Sequence, residues 1–424
     1  MKTSVCIVGL GYVGLPLAHA FAAKGHTVYG YDISERRIAD LKNGHDRTNE
    51  ISPAELKRVS IHYTKDPSVI GKAEFVIVAV PTPVDKKNKP DLSFVESSAK
   101  AVGKHLAKGS VVIYEATVYP GVTEDICGPL IEKASGMMRG RDFHLGYSPE
   151  RINPGDKEHT VTRITKIVAG EDDATLKRVA KLYESVIKAG VHRAPSIKVA
   201  EMAKAIENAQ RDLNIAYINE IALLCTAIGI RTQDVLKAAA TKWNFLNFTP
   251  GLVGGHCIGV DPYYLVEMAK KLKVKTNVIS AGRKINDAMS TIVVEQVWRA
   301  LAPIRQKRKP RVLVMGMTFK EDIPDTRNSK SFDVVQAFKK RACSVEVHDP
   351  FLTSTDIASL KLAQGTLRHG PYDAIVVLVR HREYKSVPMK QWLAALSPKA
   401  VVYDLKAMLD RKEIKAAGHV YISL

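Results

Sequence analysis

The sequence predicts an α/β protein in which two doubly wound domains are joined by a long central helix. Short apolar strands alternate with helical segments in the first third of the chain, and the same alternation returns after residue 311. Between them, residues 197–230 are rich in helix formers and contain no proline, which predicts a long helix, either continuous or broken. Alternating strands and helices are typical of a parallel sheet with helices on both faces. We expect domains at residues 1–195, 196–300 and 301–424.

Composition limits the classes of protein that the chain can represent. Its 424 residues suffice for two or three domains, and 46% apolar with 25% charged residues is ordinary for a globular protein. The five cysteines are odd in number and form no CxxC pair, which argues against a disulfide framework or a zinc knuckle. The amino terminus lacks a signal-like segment, and no run of about 18 apolar residues occurs. We therefore expect a cytoplasmic protein without a membrane partner.

The formal net charge of +19 indicates an anionic partner, which could be nucleic acid, a membrane surface or a phosphorylated metabolite. Basic residues are spread along the chain and are dense only at 86–89 and 305–309. No nucleic-acid-binding motif accompanies them. Anionic metabolites and solubility explain this charge more simply, so we expect no nucleic-acid partner.

The first domain opens with a strand, a glycine-rich turn and a helix. A β-rich run at 4–8 precedes Gly9, Gly11 and Gly14, and an alanine-rich helix follows at 15–23. In a GxGxxG turn the first glycine allows the turn, the second lets backbone approach a pyrophosphate, and the third permits close helix packing. The helix N-terminus then offers N–H groups to phosphate. The alternative is that these glycines serve packing alone.

Asp32 closes the second strand, at 27–31, about 20 residues after the glycines. Its carboxylate would accept from ribose hydroxyls and repel a 2′-phosphate, which favours NAD over NADP. Arg36 and Arg37 lie close enough in sequence to keep NADP open. Further strands of this sheet are predicted at 75–80 and 110–114.

The pattern of the last third of the chain predicts a second Rossmann-like unit, which lacks a full glycine fingerprint. The strands are predicted at 311–316, 343–350, 374–379 and 400–404. The second of these also ends in an acidic residue, Asp349. The order of elements thus repeats that of the first domain.

Cys257 lies in a glycine-rich loop at 254–259, with Asp261 four residues further on. A lone cysteine is more often a small buried hydrophobe, but the glycines let a ligand approach and favour a reactive thiol. His256 is a candidate base or a residue that only shapes the loop. Lys204 and Asn208 share one helix face, and their spacing alone also fits a solvated stripe.

The chain resembles the nucleotide-sugar 6-dehydrogenases over its whole length. The matching segments are GLGYVGLPLA (9–18), VPTP (80–83), EATVYPG (115–121), YSPERINPG (147–155), KAIENAQRDLNIAYINEIA (204–222), TPGLVGGHCIGVDPYYL (249–265), GMTFKEDIPDTRNS (316–329) and YDLKAML (403–409). The resemblance implies two Rossmann-like domains joined by a long helix, NAD on the first, a UDP-sugar on the second, and a homodimer. It implies no metal.

The resemblance also assigns chemistry to four residues. Cys257 is the expected nucleophile. Lys204 and Asn208 are expected to hold the C6 oxygen of the sugar and the developing oxyanion. Asp261 is expected to assist proton transfer and water. A thiolate would trap the aldehyde from the first oxidation, and the second oxidation would give a thioester that water hydrolyses to the uronate.

Further contacts follow from the same resemblance. Thr117 and Glu150 match residues that order the catalytic water and contact NAD or substrate, and Lys320 matches a lysine that contacts UDP. The expected cofactor contacts are Gly9, Gly11, Tyr12, Val13, Gly14, Asp32, Arg37, Thr82, Thr117 and Arg327. The expected substrate contacts are Glu150, Arg151, Lys204, Asn208, Gly251, Gly254, Gly255, Phe319, Lys320 and Lys406.

The sugar is indicated by the loop at 249–265, which is most similar to enzymes acting on UDP-N-acetylglucosamine or UDP-N-acetylgalactosamine for surface polysaccharides. UDP-N-acetylmannosamine and UDP-glucose remain alternatives. Pro154 stands where many UDP-glucose enzymes carry a further glutamate, which argues against a general base there. From other classes, an inactive NAD-binding scaffold and a hydroxyacid dehydrogenase also remain open.

Overall fold

The computed structural model describes residues 2–85, 88–152, 161–305 and 307–424. Pro154 and parts of the two dense basic segments therefore lie outside the described residues. The chain divides into two compact units, which we call unit 1 and unit 2. Unit 1 comprises Met1–Glu207 and Tyr263–Val274, and unit 2 comprises Asn208–Pro262 and Lys275–Leu424. The three-domain boundaries remain a prediction.

Unit 1 contains an eight-stranded sheet with the order β3-β2-β1-β4-β5-β6-β7-β8. Its strands are β1 Ser4–Val8, β2 Thr27–Tyr31, β3 His62–Thr64, β4 Phe75–Val78, β5 Val111–Tyr114, β6 His144–Tyr147, β7 Lys166–Gly170 and β8 Val191–Arg193. Neighbouring strands are parallel except for the pair β6 and β7, which is antiparallel. The sequence did not indicate this reversal.

In the described residues that precede the long helix at 197–228, six α-helices accompany this sheet. They are α1 Gly14–Ala23, α2 Glu35–Lys42, α3 Pro53–Leu56, α4 Ser93–His105, α5 Gly128–Ser135 and α6 Asp173–Glu184. A 3₁₀ helix at Pro67–Lys72 precedes β4, and a π-helical segment at Val122–Cys127 leads directly into α5. The core joins side chains of α1 and α6 to the sheet, for example Leu15, Phe21, Ile77 and Val179.

A long helix, α7, spans Ile197–Ile228 without interruption. Its 32 residues include no glycine or proline, and it ends at Gly229, which takes a positive φ of 77°. The following helices are α8 Thr232–Ala239, α9 Asp261–Lys271, α10 Asn277–Ala300 and α11 Ala302–Arg305. A Cβ on Gly282 of α10 would lie 2.5 Å from the Leu213 side chain, so this glycine permits the close approach of α10 to α7.

Unit 2 contains a fully parallel six-stranded sheet with the order β11-β10-β9-β12-β13-β14. The strands are β9 Arg311–Met315, β10 Ser344–His348, β11 Ala363–Gln364, β12 Tyr372–Val377, β13 Leu396–Asp404 and β14 Val420–Ile422. The helices are α12 Ser331–Lys340, α13 Ser354–Ser359, α14 Arg382–Lys385, α15 Met389–Ala394 and α16 Arg411–Ala416, with a 3₁₀ turn at Leu367–His369. Separate apolar clusters cover its two faces.

The prediction of two doubly wound α/β folds with a long helix between them is confirmed. In unit 1, Val8 pairs with Tyr31 and Val78. These strands therefore end together at the point where the strand order reverses, which is where such folds bind ligands. In the described residues, no helix is long and apolar enough to cross a membrane.

Candidate active site

The glycine turn after β1 is shaped for a dinucleotide. Gly9 takes a φ of 94°, and a Cβ on Gly14 would lie 1.8 Å from the Gly9 carbonyl oxygen. A Cβ on Gly11 would meet nothing within 4 Å, so space is open beside the turn. Val13, the residue before α1, supplies no side-chain cap to the helix N-terminus. The turn therefore fits the diphosphate of NAD, with helix N–H groups left for phosphate.

Asp32 lies beside this turn, as the sequence predicts. Its carboxylate accepts hydrogen bonds from the backbone N–H groups of Leu10, at 2.9 Å, and Ser34, at 2.8 Å. A carboxylate offers about four acceptor positions, so two remain for ribose hydroxyls. Arg37 donates to the Leu10 carbonyl at 2.8 Å and pairs with Asp46 at 2.8 Å. Since Asp46 balances the charge of Arg37, the site favours an unphosphorylated ribose.

Glu150 joins a buried ionic cluster at the carboxyl edge of the unit 1 sheet. The Lys166 ammonium lies 2.7 Å from the Glu150 carboxylate and 2.8 Å from that of Glu115. The Tyr183 hydroxyl donates to Glu115. Burial lowers the pKa of Lys166, but the two carboxylates prevail and raise it. Glu150 is thus fixed by a cation, and its other oxygen accepts the N–H groups of Arg151 and Ile152.

Sequence reasoning missed Lys166 and Glu115 as partners of Glu150. Lys166 lies 51 residues from Glu115 and 16 from Glu150. The available signal was a lysine at the head of a strand that is otherwise apolar, KIVAG. The same loop region holds Arg151, whose side chain pairs with Glu207 at 2.8 Å.

The loop that carries Thr117 is tied to helix α7. Glu201, fully buried, accepts the N–H groups of Gly121 at 2.6 Å and Thr123 at 3.0 Å. One turn further along α7 lies Lys204, of which only 5% is exposed. Thr82, in the turn after β4, accepts at its carbonyl from the Tyr264 hydroxyl at 2.9 Å.

Asn208 and Asp261 meet in the interior of unit 2. The Asn208 amide nitrogen donates to the Asp261 carboxylate at 2.6 Å, and both residues are at most 5% exposed. With Lys204 equally buried, a solvated stripe on this face of α7 is wrong. The Asp261 N–H donates to the Cys257 carbonyl at 2.8 Å, so one tight turn links the cysteine to the start of α9.

Cys257 is the exposed cysteine of the five; the other four are buried. Burial raises the pKa of Cys6 and Cys127 to about 12 and that of Cys343 to about 11. Those three groups are therefore protonated thiols at neutral pH. Cys6 lies in β1 and Cys225 in α7, while Cys343 precedes β10 by one residue. Accessibility thus singles out the cysteine that the sequence predicts to react.

Two glycines allow the cysteine loop to pack closely against the segment at 316–329. A Cβ on Gly254 would lie 2.5 Å from the Asn328 carbonyl, and one on Gly255 would lie 2.7 Å from the Phe319 ring. The Gly255 N–H donates to the same Asn328 carbonyl at 3.3 Å. The loop with Cys257 therefore adjoins the segment that carries Lys320 and Arg327.

His256 contacts Asp325 and Phe319. Its Nε2 lies 3.7 Å from Asp325, and its ring packs against Phe319 at 5.8 Å. Burial lowers the pKa of His256, and Arg327 lowers it further while Asp325 opposes them. Arg327 itself donates to Asp325 at 2.8 Å. These contacts favour the loop-shaping role of His256.

Lys406 lies against Gly251. A Cβ on Gly251 would be 2.6 Å from the Lys406 ammonium, which donates to the Pro250 carbonyl at 2.9 Å. Burial lowers the pKa of Lys406, Arg380 lowers it further, and Glu321 opposes them. The ammonium has three donors, so it can hold the loop and still contact an anionic ligand.

Comparison with known proteins defines the class. The UDP-glucose/GDP-mannose dehydrogenase family matches in three parts: its NAD binding domain at residues 3–187, its central domain at 198–288 and its UDP binding domain at 313–411. The chain therefore belongs to this family. It is an oxidoreductase that uses NAD, and its predicted cofactor and UDP-sugar substrate class are confirmed.

Individual relatives agree with this assignment. The chain is 48% identical to a UDP-N-acetyl-D-glucosamine 6-dehydrogenase of Pseudomonas aeruginosa, covering 96% of this chain and 97% of that protein. It is 45% identical to Protein CapL of Staphylococcus aureus, covering 99% and 100%. The structure of the UDP-D-ManNAc dehydrogenase of Pyrococcus horikoshii superimposes with a TM-score of 0.89 at 29% identity, covering 99% and 98%.

Proposed function

We propose that the protein oxidises C6 of a UDP-N-acetylhexosamine, UDP-N-acetylglucosamine or UDP-N-acetylgalactosamine, to the uronic acid for surface polysaccharide. The proposal rests mainly on the turn of unit 2 that joins the exposed Cys257 to Asp261. The Asp261 carboxylate accepts a hydrogen bond from Asn208. This turn offers an accessible thiol beside a buried donor and a carboxylate. A one-step hydroxyacid dehydrogenase would need no such thiol.

The proposed chemistry uses Cys257 twice. The C6 alcohol loses a proton and a hydride to give an aldehyde, and the thiolate adds to the aldehyde carbon to form the oxyanion of a thiohemiacetal. Loss of a second hydride from that carbon leaves a thioester. Water then adds to the thioester, the carbon–sulfur bond breaks, and the uronate and the thiol are released. NAD, held by the turn at Gly9, Gly11 and Gly14 and by Asp32, would supply the hydride acceptor for both oxidations, so that two NAD would be reduced per sugar.

The neighbouring residues would hold charge and protons. Asn208 gives one amide N–H to Asp261 and has a second for the sugar oxygen. Lys204, on the same face of α7, would stabilise the oxyanion that develops at C6. Asp261 would accept protons from the attacking water. Glu150 and Thr117 would order that water, with Glu150 held by Lys166.

The sugar is proposed from similarity. A relative named UDP-N-acetyl-D-glucosamine 6-dehydrogenase shares 48% of residues, whereas relatives named UDP-N-acetyl-D-mannosamine dehydrogenase share 30–32%. Initial rates of NADH formation with UDP-N-acetylglucosamine, UDP-N-acetylgalactosamine, UDP-N-acetylmannosamine and UDP-glucose would test this choice. The highest kcat/KM should fall on one of the first two. A preference for UDP-glucose would contradict the assignment, and no NADH with any sugar would favour an inactive scaffold.

The covalent step predicts that Cys257→Ser loses uronate formation by orders of magnitude, because a serine hydroxyl is hardly ionised at neutral pH. The variant should still bind NAD and UDP-sugar, and intact-mass spectrometry should detect any ester that accumulates. Cys343→Ser is the matched control, since that thiol is buried and protonated, and its kcat should stay near wild type. Near-normal uronate formation by Cys257→Ser would reduce the cysteine to a packing residue.

The homodimer and the location are also part of this proposal. Tyr217, Leu224 and Ile228 are 56–69% exposed on one face of α7, and Trp243 is 91% exposed. Large apolar side chains that are exposed along one face of a helix mark interfaces, and a second copy of the chain is the occupant that we propose. The five cysteines, none in a disulfide, suit the reducing cytoplasm.

A further inference from the structure

A stripe of buried polar residues follows one face of helix α7. Its members are Glu201, Lys204, Asn208, Asp212 and Asn219, each at most 5% exposed. Polar groups are costly to bury without hydrogen bonds, so each position requires a partner. Lys204 and Asn208 already have proposed roles in catalysis. Asn219 has none, although it is fully buried three turns further along the helix.

Asn219 binds both backbone groups of Gly251. Its amide oxygen accepts the Gly251 N–H at 2.8 Å, and its amide nitrogen donates to the Gly251 carbonyl at 3.0 Å. The same nitrogen donates to the Asn286 side chain at 2.8 Å. Both N–H donors and the oxygen of the amide are bonded to buried partners, so this side chain holds the loop backbone in one place.

A second layer fixes Asn219 itself. The Asn286 amide donates to the carboxylate of Asp212 at 2.7 Å and to its carbonyl at 2.9 Å. Arg283 donates to the same carboxylate at 2.6 Å. These residues are at most 3% exposed. A buried network in which the side chains of Asn219, Asn286 and Asp212 bond one another in series favours a single arrangement, and here it ends at Gly251.

Lys406 lies on the other side of that loop. Its ammonium donates to the carbonyl of Pro250, the residue before Gly251. The missing Cβ of Gly251 also leaves the space that the ammonium fills, since a Cβ would come within 2.6 Å of it. A shift of the loop backbone would therefore displace both the carbonyl that holds the ammonium and the space in which it lies.

We propose that Asn219 is a positioning residue for UDP-sugar binding, acting through Gly251 and Pro250 on the ammonium of Lys406. The proposal rests on the substrate contact assigned to Lys406. Asn219 touches neither substrate nor cofactor in this scheme. Its contribution should therefore appear in the affinity for the UDP part of the substrate and disappear when Lys406 is removed.

A double-mutant cycle tests this coupling with UDP as the titrated ligand. Asn219→Asp replaces the amide donor by an oxygen that faces two acceptors, the Gly251 carbonyl and the Asn286 side chain. It should weaken UDP binding, measured by calorimetry, by about tenfold, as expected for a misplaced charged contact. In a Lys406→Ala background the same substitution should change UDP binding by less than about twofold. The Kd for NAD should stay unchanged in every variant.

Two controls keep the outcomes distinct. Ser290→Ala, at a buried position of α10 that bonds the Lys330 carbonyl, reports the effect of a general loss of stability. Asn219→Ser, which retains a single hydroxyl, replaces the aspartate variant if that variant does not fold. Equal losses in both Lys406 backgrounds, or a parallel loss of NAD affinity, would make Asn219 a packing residue. If Lys406→Ala alone leaves UDP binding unchanged, the proposed contact of Lys406 with the substrate is wrong.

Discussion

Two aspartates occupy the same topological position in the two sheets but have different surroundings. Asp32 follows β2 and is partly exposed, with acceptor positions left for a ligand. Asp349 follows β10, and its side chain is fully buried. It accepts the N–H groups of Met317 and Thr318 and faces His381 at 3.2 Å. Asp32 is thus available to a ribose, whereas the carboxylate of Asp349 is already hydrogen-bonded to the turn after β9.

At this scale, Asp32→Ala should weaken NAD binding about tenfold, because hydrogen bonds to a charged group are lost. The preference against NADP should relax at the same time, because the charge that repels the 2′-phosphate is gone. KM values for NAD and NADP with a fixed UDP-sugar would measure both effects. Asp66→Ala, which removes an exposed carboxylate at the start of a 3₁₀ helix, is the control. Wild-type kinetics that favour NADP would refute this role of Asp32.

At the scale of the element, helix α7 is an anchor for loops of both units. In unit 1, Glu201 holds the backbone that leads into the π-helical segment and α5. In unit 2, Asn208 holds the turn before α9 and Asn219 holds Gly251. The helix is continuous between these positions. Within each unit, loop residues that are distant in sequence from α7 are therefore positioned by its buried polar side chains.

Glu201 makes this anchor sensitive to pH. Burial raises the pKa of Glu201 to about 7, against hydrogen bonds from Gly121 and Thr123 that lower it. Because the folded-state pKa lies above the unfolded one, the stability from this group is complete below about pH 4.5 and is lost as the pH rises through 7. The difference between the folded-state and unfolded-state pKa values of Glu201 corresponds to about 3 kcal/mol in the free energy of unfolding. Glu124 and Asp125 in the π-helical segment and Lys198 on α7 also carry charge in this region.

Glu201→Gln should remove this dependence. The difference in melting temperature, variant minus wild type, should rise between about pH 4.5 and 7, because only the wild type loses stability there through this group. Thermal unfolding monitored by circular dichroism across that range would measure it. Glu220→Gln, at an exposed position of the same helix, controls for the loss of one acidic group. A constant difference across the range would show that the Glu201 side chain does not titrate there.

At the scale of the whole molecule, the first six strands of unit 1 follow the same order as the six strands of unit 2, but the two units bind different ligands. Both sheets reverse direction of winding beside their first strand. Unit 1 has three glycines after that strand, which leave room for a diphosphate, whereas unit 2 has Gly316 followed by Met317 and Thr318. The shared fold thus sets where a ligand binds, and the turn residues decide which one.

The exposed face of α7 predicts self-association. Leu224→Glu combined with Ile228→Glu would place two charges on that face and should convert a dimer into a monomer, because an uncompensated charge is costly in an apolar interface. Sedimentation velocity would give the mass, for which one chain is 46.7 kDa. Met138→Glu, at a position 52% exposed in unit 1, should leave it unchanged. A monomeric wild type would contradict the proposal.

The sequence alone determined the features that depend on local chemistry. Strand β1 and its glycine turn, the acid after β2 and the long helix α7 all follow from short patterns, whereas the structure shows that α7 is unbroken. Glycines allow left-handed turns, apolar runs bury strands, and proline-free runs of helix formers extend. The expected reactivity of Cys257 also followed from its neighbours, and the structure adds that this thiol is exposed while the other four are buried.

Only the tertiary structure decided the partners of the buried polar groups. Lys166 joins Glu115 to Glu150, Asn208 meets Asp261 across 53 residues, and the Asn219 amide fixes Gly251 across 32. Nothing in the local sequence specifies such pairs, because each depends on how strands and helices are brought together. A buried polar side chain requires a hydrogen-bond partner. The packing of the chain determines which residue becomes that partner.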